Sequence, residues 1–156
     1  MTDKELYSKA TILQHNHDVG VLMLRFVQQL IDRAQVHDAT KLEEPEFSQH
    51  KEYTDQAQGV KFGSEEYNKL RQKFQLIHEY HFDRHRHHPE HFPNGINDMN
   101  LVDLIEMMCD WKAASVWYKG DMQSSLKVQR KRLKISPQLM QIIKNTAKDL
   151  GLYNER

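Results

Sequence analysis

The chain has 156 residues, enough for one domain with one core and too few for two independent cores of ordinary size. Its 22 basic and 22 acidic side chains cancel, so no whole-chain field draws it to nucleic acid or a membrane surface. No apolar run reaches membrane-spanning length, the amino terminus lacks a signal peptide's apolar stretch, and the lone Cys109 cannot form an internal disulfide, so a cytoplasmic protein is expected.

From Leu6 to Arg33 the apolar residues Ile12, Val19, Met23, Phe26, Val27 and Leu30 recur at helical spacing and predict one long amphipathic helix. His15 lies at the edge of its apolar stripe with Arg33 on the same side, while His17 projects away from it. A short helix is expected over VHDATK, and Pro45 interrupts the segment after it. The polar stretch Ser48 to Phe62 carries no clear period. Gly63-Ser64-Glu65-Glu66 reads as a helix start with Ser64 as cap, and Tyr67, Leu70, Phe74 and Ile77 carry that helix into a histidine-rich segment. HHPEHFPNGIND is a loop by its prolines and glycine. Asn100 caps a helix running to Tyr118, with Cys109 expected to be a buried thiol inside MMCDW, and Gly120 ends it. A helix from about Asp121 to Arg132 follows, then one begun by Ser136-Pro137 and ending near Gly151. Its Leu139, Ile142, Ile143 and Leu150 suit packing within the chain or against a second copy, so a monomer or homodimer is expected. No strand pattern emerges, and residues 1–156 are expected to form one all-α domain.

Ten histidines are present, six of them between His78 and His91, and that clustering needs a cause. His37-Asp38 supplies an imidazole and a carboxylate, both natural ligands of a borderline divalent metal, with Lys41 one helical turn later. His78, His81 and His85 share one helical face, and His87 and His88 fall where the chain leaves that helix. Geometry does not admit all six to one site. Asp103, Glu106 and Asp110 share a face of an otherwise apolar helix. Facing solvent they are an ordinary polar stripe; facing the interior they require a cation, because an isolated buried charge is prohibitively costly. The histidines likewise read either as ligands or as a solvated patch that titrates near neutrality. Arg33 and Arg86 are usable contacts for an anion.

The order His15, His37-Asp38 with Lys41, His81, His87-His88 and Asp110 resembles the HD superfamily of metal-dependent phosphohydrolases, and within it the expanded multi-metal versions. HDATKLEEPEF, RHHPEHFPNGINDMNLVDLIEMMCDWKAAS and SLKVQRKRLKIS are similar to a family of short phage and bacterial proteins of unknown function. The resemblance implies an HD-like helical bundle holding one or two divalent ions (manganese, iron, zinc, nickel or magnesium). It implies that Asp38 bridges two ions, that His15, His37 and Asp110 complete the first, and that His81 with His87 or His88 holds the second. Lys41 and Arg86 would position phosphate, and Arg33, Asp103 and Glu106 would support the ligands. The expected reaction is hydrolysis of a small phosphate ester, such as a nucleotide, in a bacterial cytosol. The chain departs from the pattern in two places: Ala39-Thr40 precede Lys41 where many HD enzymes have a glycine, and the signature of cyclic-dinucleotide phosphodiesterases is missing after His88. Two other readings share the ligand order: a di-iron oxygenase of polyols or phosphonates, and a non-catalytic phage adaptor or inhibitor held together by metal.

Overall fold

A computed structural model describes residues 1–61, 63–117 and 120–153. Every regular element among them is helical, with no strand, and no described helix is long and apolar enough to cross a membrane. By contacts the chain divides into two units, Met1–His37 and Asp38–Arg156.

The first unit is one helix, α1, Asp3–Val36. It starts with a reciprocal cap in which Thr2 Oγ1 accepts from Glu5 N at 3.3 Å and Glu5 Oε2 accepts from Thr2 N at 2.6 Å. The helix outruns the expected Leu6 to Arg33 at both ends. It has no buried residue, and the anticipated stripe residues Ile12, Val19, Met23, Phe26 and Val27 are exposed.

The second unit opens differently from the short helix expected over VHDATK. Val36 still belongs to α1, Asp38 adopts left-handed backbone, and a 3-10 turn covers Ala39–Leu42. A cis Glu44–Pro45 bond then leads into α2, Glu46–Ala57, so most of the stretch without a clear period is helical; Phe62 lies outside the described residues. Ser64 Oγ accepts from Tyr67 N at 3.1 Å and starts α3, Glu65–Lys73. The helix expected to continue into the histidines is broken at Phe74, whose φ of −102° and ψ of 25° separate α3 from α4, Gln75–Arg84. Packing rather than a breaker residue accounts for the bend: Phe74 is buried with Ala57, Leu70 and Ile77, and its ring meets the edge of Tyr53 at 5.5 Å.

Two 3-10 turns, Pro89–His91 and Gly95–Asp98, fill the predicted loop. Asn100 Oδ1 accepts from Asp103 N and Asp103 Oδ2 accepts from Asn100 N, both at 2.9 Å, at the head of α5, Leu101–Trp117; Tyr118, the expected last residue, lies outside the described residues. Asp121 caps α6, Met122–Arg132, and Ser136 caps α7, Pro137–Asp149, with proline in the first turn. Gly151 leaves α7 at φ 66°, a conformation that glycine adopts at no steric cost. Met107, Met108, Trp111, Met122, Leu126, Ile135, Met140, Ile143 and Ala147 form the core of α5, α6 and α7. Truncating a fully buried member such as Leu126 to alanine costs roughly 2–5 kcal/mol. Cys109 is exposed rather than buried, because it sits about 200° around α5 from Met107 and Trp111. Burial of its surroundings, with the Glu106 and Asp110 carboxylates nearby, raises its pKa, so the thiol is a poor nucleophile.

Candidate metal centre

Within the second unit, a cluster of possible ligands starts at the first residue. Asp38 sits at φ 55° and ψ 20°, a region that aspartate tolerates better than most side chains. The turn after it brings Lys41 back, so that Lys41 N donates to Asp38 O at 2.9 Å and Lys41 Nζ lies 2.6 Å from Asp38 Oδ2. The other oxygen, Oδ1, faces two imidazoles, with His81 Nε2 at 3.1 Å and His87 Nε2 at 3.4 Å.

His81 comes from α4, and His87 and His88 from the chain just beyond it. Pro89 keeps His88 in extended backbone, at φ −98° and ψ 123°. The chain therefore turns back as soon as α4 ends. That reversal sets the His88 ring 4.8 Å from the His81 ring and 4.1 Å from the His87 ring. Asp38, His81, His87 and His88 each offer a ligand atom within 4.8 Å of the others, and Asp110 of α5 does so with Asp38 and His87.

Both nitrogens of His81 and Nε2 of His88 are shut off from solvent and make no aligned hydrogen bond. Leaving such a group unsatisfied costs roughly 1–3 kcal/mol. A cation beside His81 Nε2, His88 Nε2 and the Asp38 carboxylate removes that cost for the nitrogens it meets, so the residues fit a divalent ion. Burial alone would raise the Asp38 pKa, but the neighbouring His81 imidazole and the charge of Lys41 outweigh it and hold the carboxyl well below the usual range. Burial, reinforced by His87 and His81, drives the His88 pKa far down, and burial with His81 lowers that of His85 to about 4. Both rings are therefore neutral at physiological pH, the form that binds metal.

Carboxylates also stand behind the ligand candidates. Glu106 Oε1 lies 3.1 Å from His87 Nδ1, and Glu46 Oε1 lies 2.7 Å from His81 Nδ1. Glu46, His81 and His85 form a further group of possible ligands on that side. Asp103 is held by Arg86, which donates from Nε at 3.1 Å and Nη2 at 3.0 Å. Arg86 also lies over the Phe92 ring, 4.8 Å from its centroid.

Of the residues singled out from sequence, the second unit brings together Asp38, Lys41, His81, His87, His88, Glu106 and Asp110. His15, Arg33 and His37 belong to the first unit. There His15 is exposed, Arg33 half-buried, and His37 is the carboxy-terminal cap of α1, bonded directly to Asp38. Sequence reasoning missed Glu46 and Thr40. An acid in the first turn of a helix is ordinarily explained by the helix dipole, and only its position just after Pro45, close behind HDATK, hinted at more.

The chain belongs to a family of unknown function, DUF5662, whose family model matches residues 4–149. No curated protein and no solved structure matches it.

Proposed function

We propose that this protein is a divalent-metal-dependent phosphohydrolase of HD type, acting on a small phosphate ester such as a nucleotide. The observation that carries the reading is the convergence of buried histidine nitrogens, His81 Nε2 and His88 Nε2, with His87 and Asp38 in one cluster. Asp38, His81, His87 and His88 hold the ion, with Asp110 beside Asp38 and His87. The order of these residues along the chain resembles the HD pattern, which supports the same conclusion.

A divalent ion at this place supplies Lewis acidity and makes water a usable nucleophile near neutral pH. The chain's own residues do the rest. Asp38, kept ionised by its surroundings, gives the centre its negative charge. Lys41, with its side chain 30 % exposed, is the cation beside the cluster that a phosphoryl oxygen can meet. Arg86 contributes less directly, because its guanidinium is engaged by Asp103.

The test is metal analysis of protein purified without chelator, followed by a panel of nucleotides and phosphomonoesters with manganese, zinc, nickel and magnesium. Bound metal and turnover of an ester, both lost in Asp38→Ala, are expected. Tight metal binding with every ester left intact would replace the hydrolase with a metal-stabilised binding domain. Two bound irons and oxygen uptake would replace it with an oxygenase. Absence of metal binding would end the reading altogether.

A further inference from the structure

Glu46, the first residue of α2, carries a carboxylate that is 2 % exposed, and a buried charge of that kind needs a defined role. Its Oε2 accepts a hydrogen bond from Thr40 Oγ1 at 2.5 Å. A hydroxyl has one proton to give. Having given it to Glu46, Thr40 accepts at its other contact, so His85 Nε2, 2.6 Å away, is the donor there. His85 is thereby held with its proton on Nε2, and that nitrogen is not open to a metal.

The second oxygen, Glu46 Oε1, lies 2.7 Å from His81 Nδ1, while His81 Nε2 lies 3.1 Å from Asp38 Oδ1. A neutral imidazole has one N–H and one lone pair. Between two carboxylates, one nitrogen of a neutral ring faces an oxygen without a proton to share, and that side is the place for a cation, whether a second proton or a metal ion. The Asp38 side is the better choice, because His87, His88 and Asp110 also converge there, whereas on the Glu46 side His85 Nε2 is spent on Thr40.

We propose that Glu46 is the positioning residue of the metal centre: it takes the Nδ1 proton of His81 and so presents the Nε2 lone pair to the ion shared with Asp38. This rests on the metal reading above. His87 is arranged in the same way, with Glu106 Oε1 3.1 Å from Nδ1 and Asp38 Oδ1 3.4 Å from Nε2. The 2.7 Å approach at His81 needs only a rotation of the ring to align its N–H, and that torsion is soft in histidine. Such outer carboxylates fix the tautomer and orientation of a ligand and tune its hold on metal.

The experiment uses the full chain and zinc, which is silent in magnetic resonance. Nitrogen-detected spectra of the zinc-loaded protein should show His81 protonated at Nδ1 and coordinated through Nε2. By titration calorimetry, Glu46→Ala should bind zinc about 10- to 100-fold more weakly at unchanged stoichiometry. Glu46→Gln, which keeps an acceptor oxygen, should recover most of that loss. His81 coordinated through Nδ1 would overturn the proposal and make Glu46 a ligand, a result that needs no variant to fold. Zinc affinity unchanged in a folded Glu46→Ala would also overturn it. Wild-type protein that binds no zinc would instead remove the metal reading itself, so the two failures are told apart.

Discussion

Arg86 grips Asp103 through two parallel hydrogen bonds, but the two partners are unequally placed, Arg86 with its side chain 44 % exposed and Asp103 at 0 %. Removing the arginine takes the counter-charge from a buried carboxylate and leaves it the Asn100 N–H among its partners, whereas removing the aspartate leaves a guanidinium that water and the Phe92 face can still serve. Arg86→Ala should therefore lower the unfolding free energy by about 3 kcal/mol and Asp103→Asn by about 1 kcal/mol. Urea titration of both variants checks this, and equal losses would show that burial of Asp103 does not set the balance.

The same pair shows why the site was only partly legible in the sequence. The caps at Ser64, Asn100, Asp121 and Ser136 act within four residues of their own helices, so local chemistry announces them. His87-His88 before Pro89 is also local: the proline dictates the chain reversal that turns both rings towards α4. Helix periodicity placed Asp103, Glu106 and Asp110 on one face but could not say which imidazole or guanidinium each would meet. That depends on how α4 and α5 pack. Glu106 faces His87 while Asp103, one turn earlier, is taken by Arg86. The break at Phe74 has the same origin, since its ring packs against Tyr53, a side chain distant in sequence.

Chelation gives a second prediction. An ion bound by the folded chain alone adds about 2.7 kcal/mol of stability at a hundredfold excess over its dissociation constant. Treatment with a chelator should lower the melting temperature, and manganese or zinc should restore it. Asp38→Asn should show neither change, because its side chain no longer supplies the charge that faces His81 and His87. A chelator response that survives in Asp38→Asn would move the ion elsewhere.

Acid should weaken the chelator-treated fold through His78 among other groups. Its ring stacks on Phe82 at 6.1 Å and meets the edge of Tyr53 at 5.2 Å. Burial, then the charge of Arg71, lowers its pKa from 6.5 to about 4. Within that interval the unfolded chain binds the proton and the folded chain resists it, so the contribution is complete above about pH 6.5 and fades as pH falls towards 4. His78→Phe keeps the ring packing without the titration, and its melting temperature should fall less steeply between about pH 7 and pH 5 than that of the wild type. His85, also lowered to about 4, remains in both proteins and keeps part of the slope. Parallel curves would show that His78 meets its proton equally well folded and unfolded.

Lys41 separates catalysis from metal holding, because its two influences on the centre have opposite signs. Its ammonium lies 2.6 Å from Asp38 Oδ2, so it repels a cation on the same carboxylate while offering a phosphoryl oxygen a positive partner. Lys41→Met keeps the length and apolar stem of the side chain and removes only the charge. The variant should bind manganese several-fold more tightly than the wild type and hydrolyse phosphate esters on the order of 100-fold more slowly at saturating metal. Were Lys41 only a structural counter-ion, metal affinity would fall together with stability, and turnover per bound ion would stay where it was. Measuring the manganese dissociation constant and the rate at saturating manganese on one preparation distinguishes these outcomes, because the first pattern requires affinity and rate to move in opposite directions.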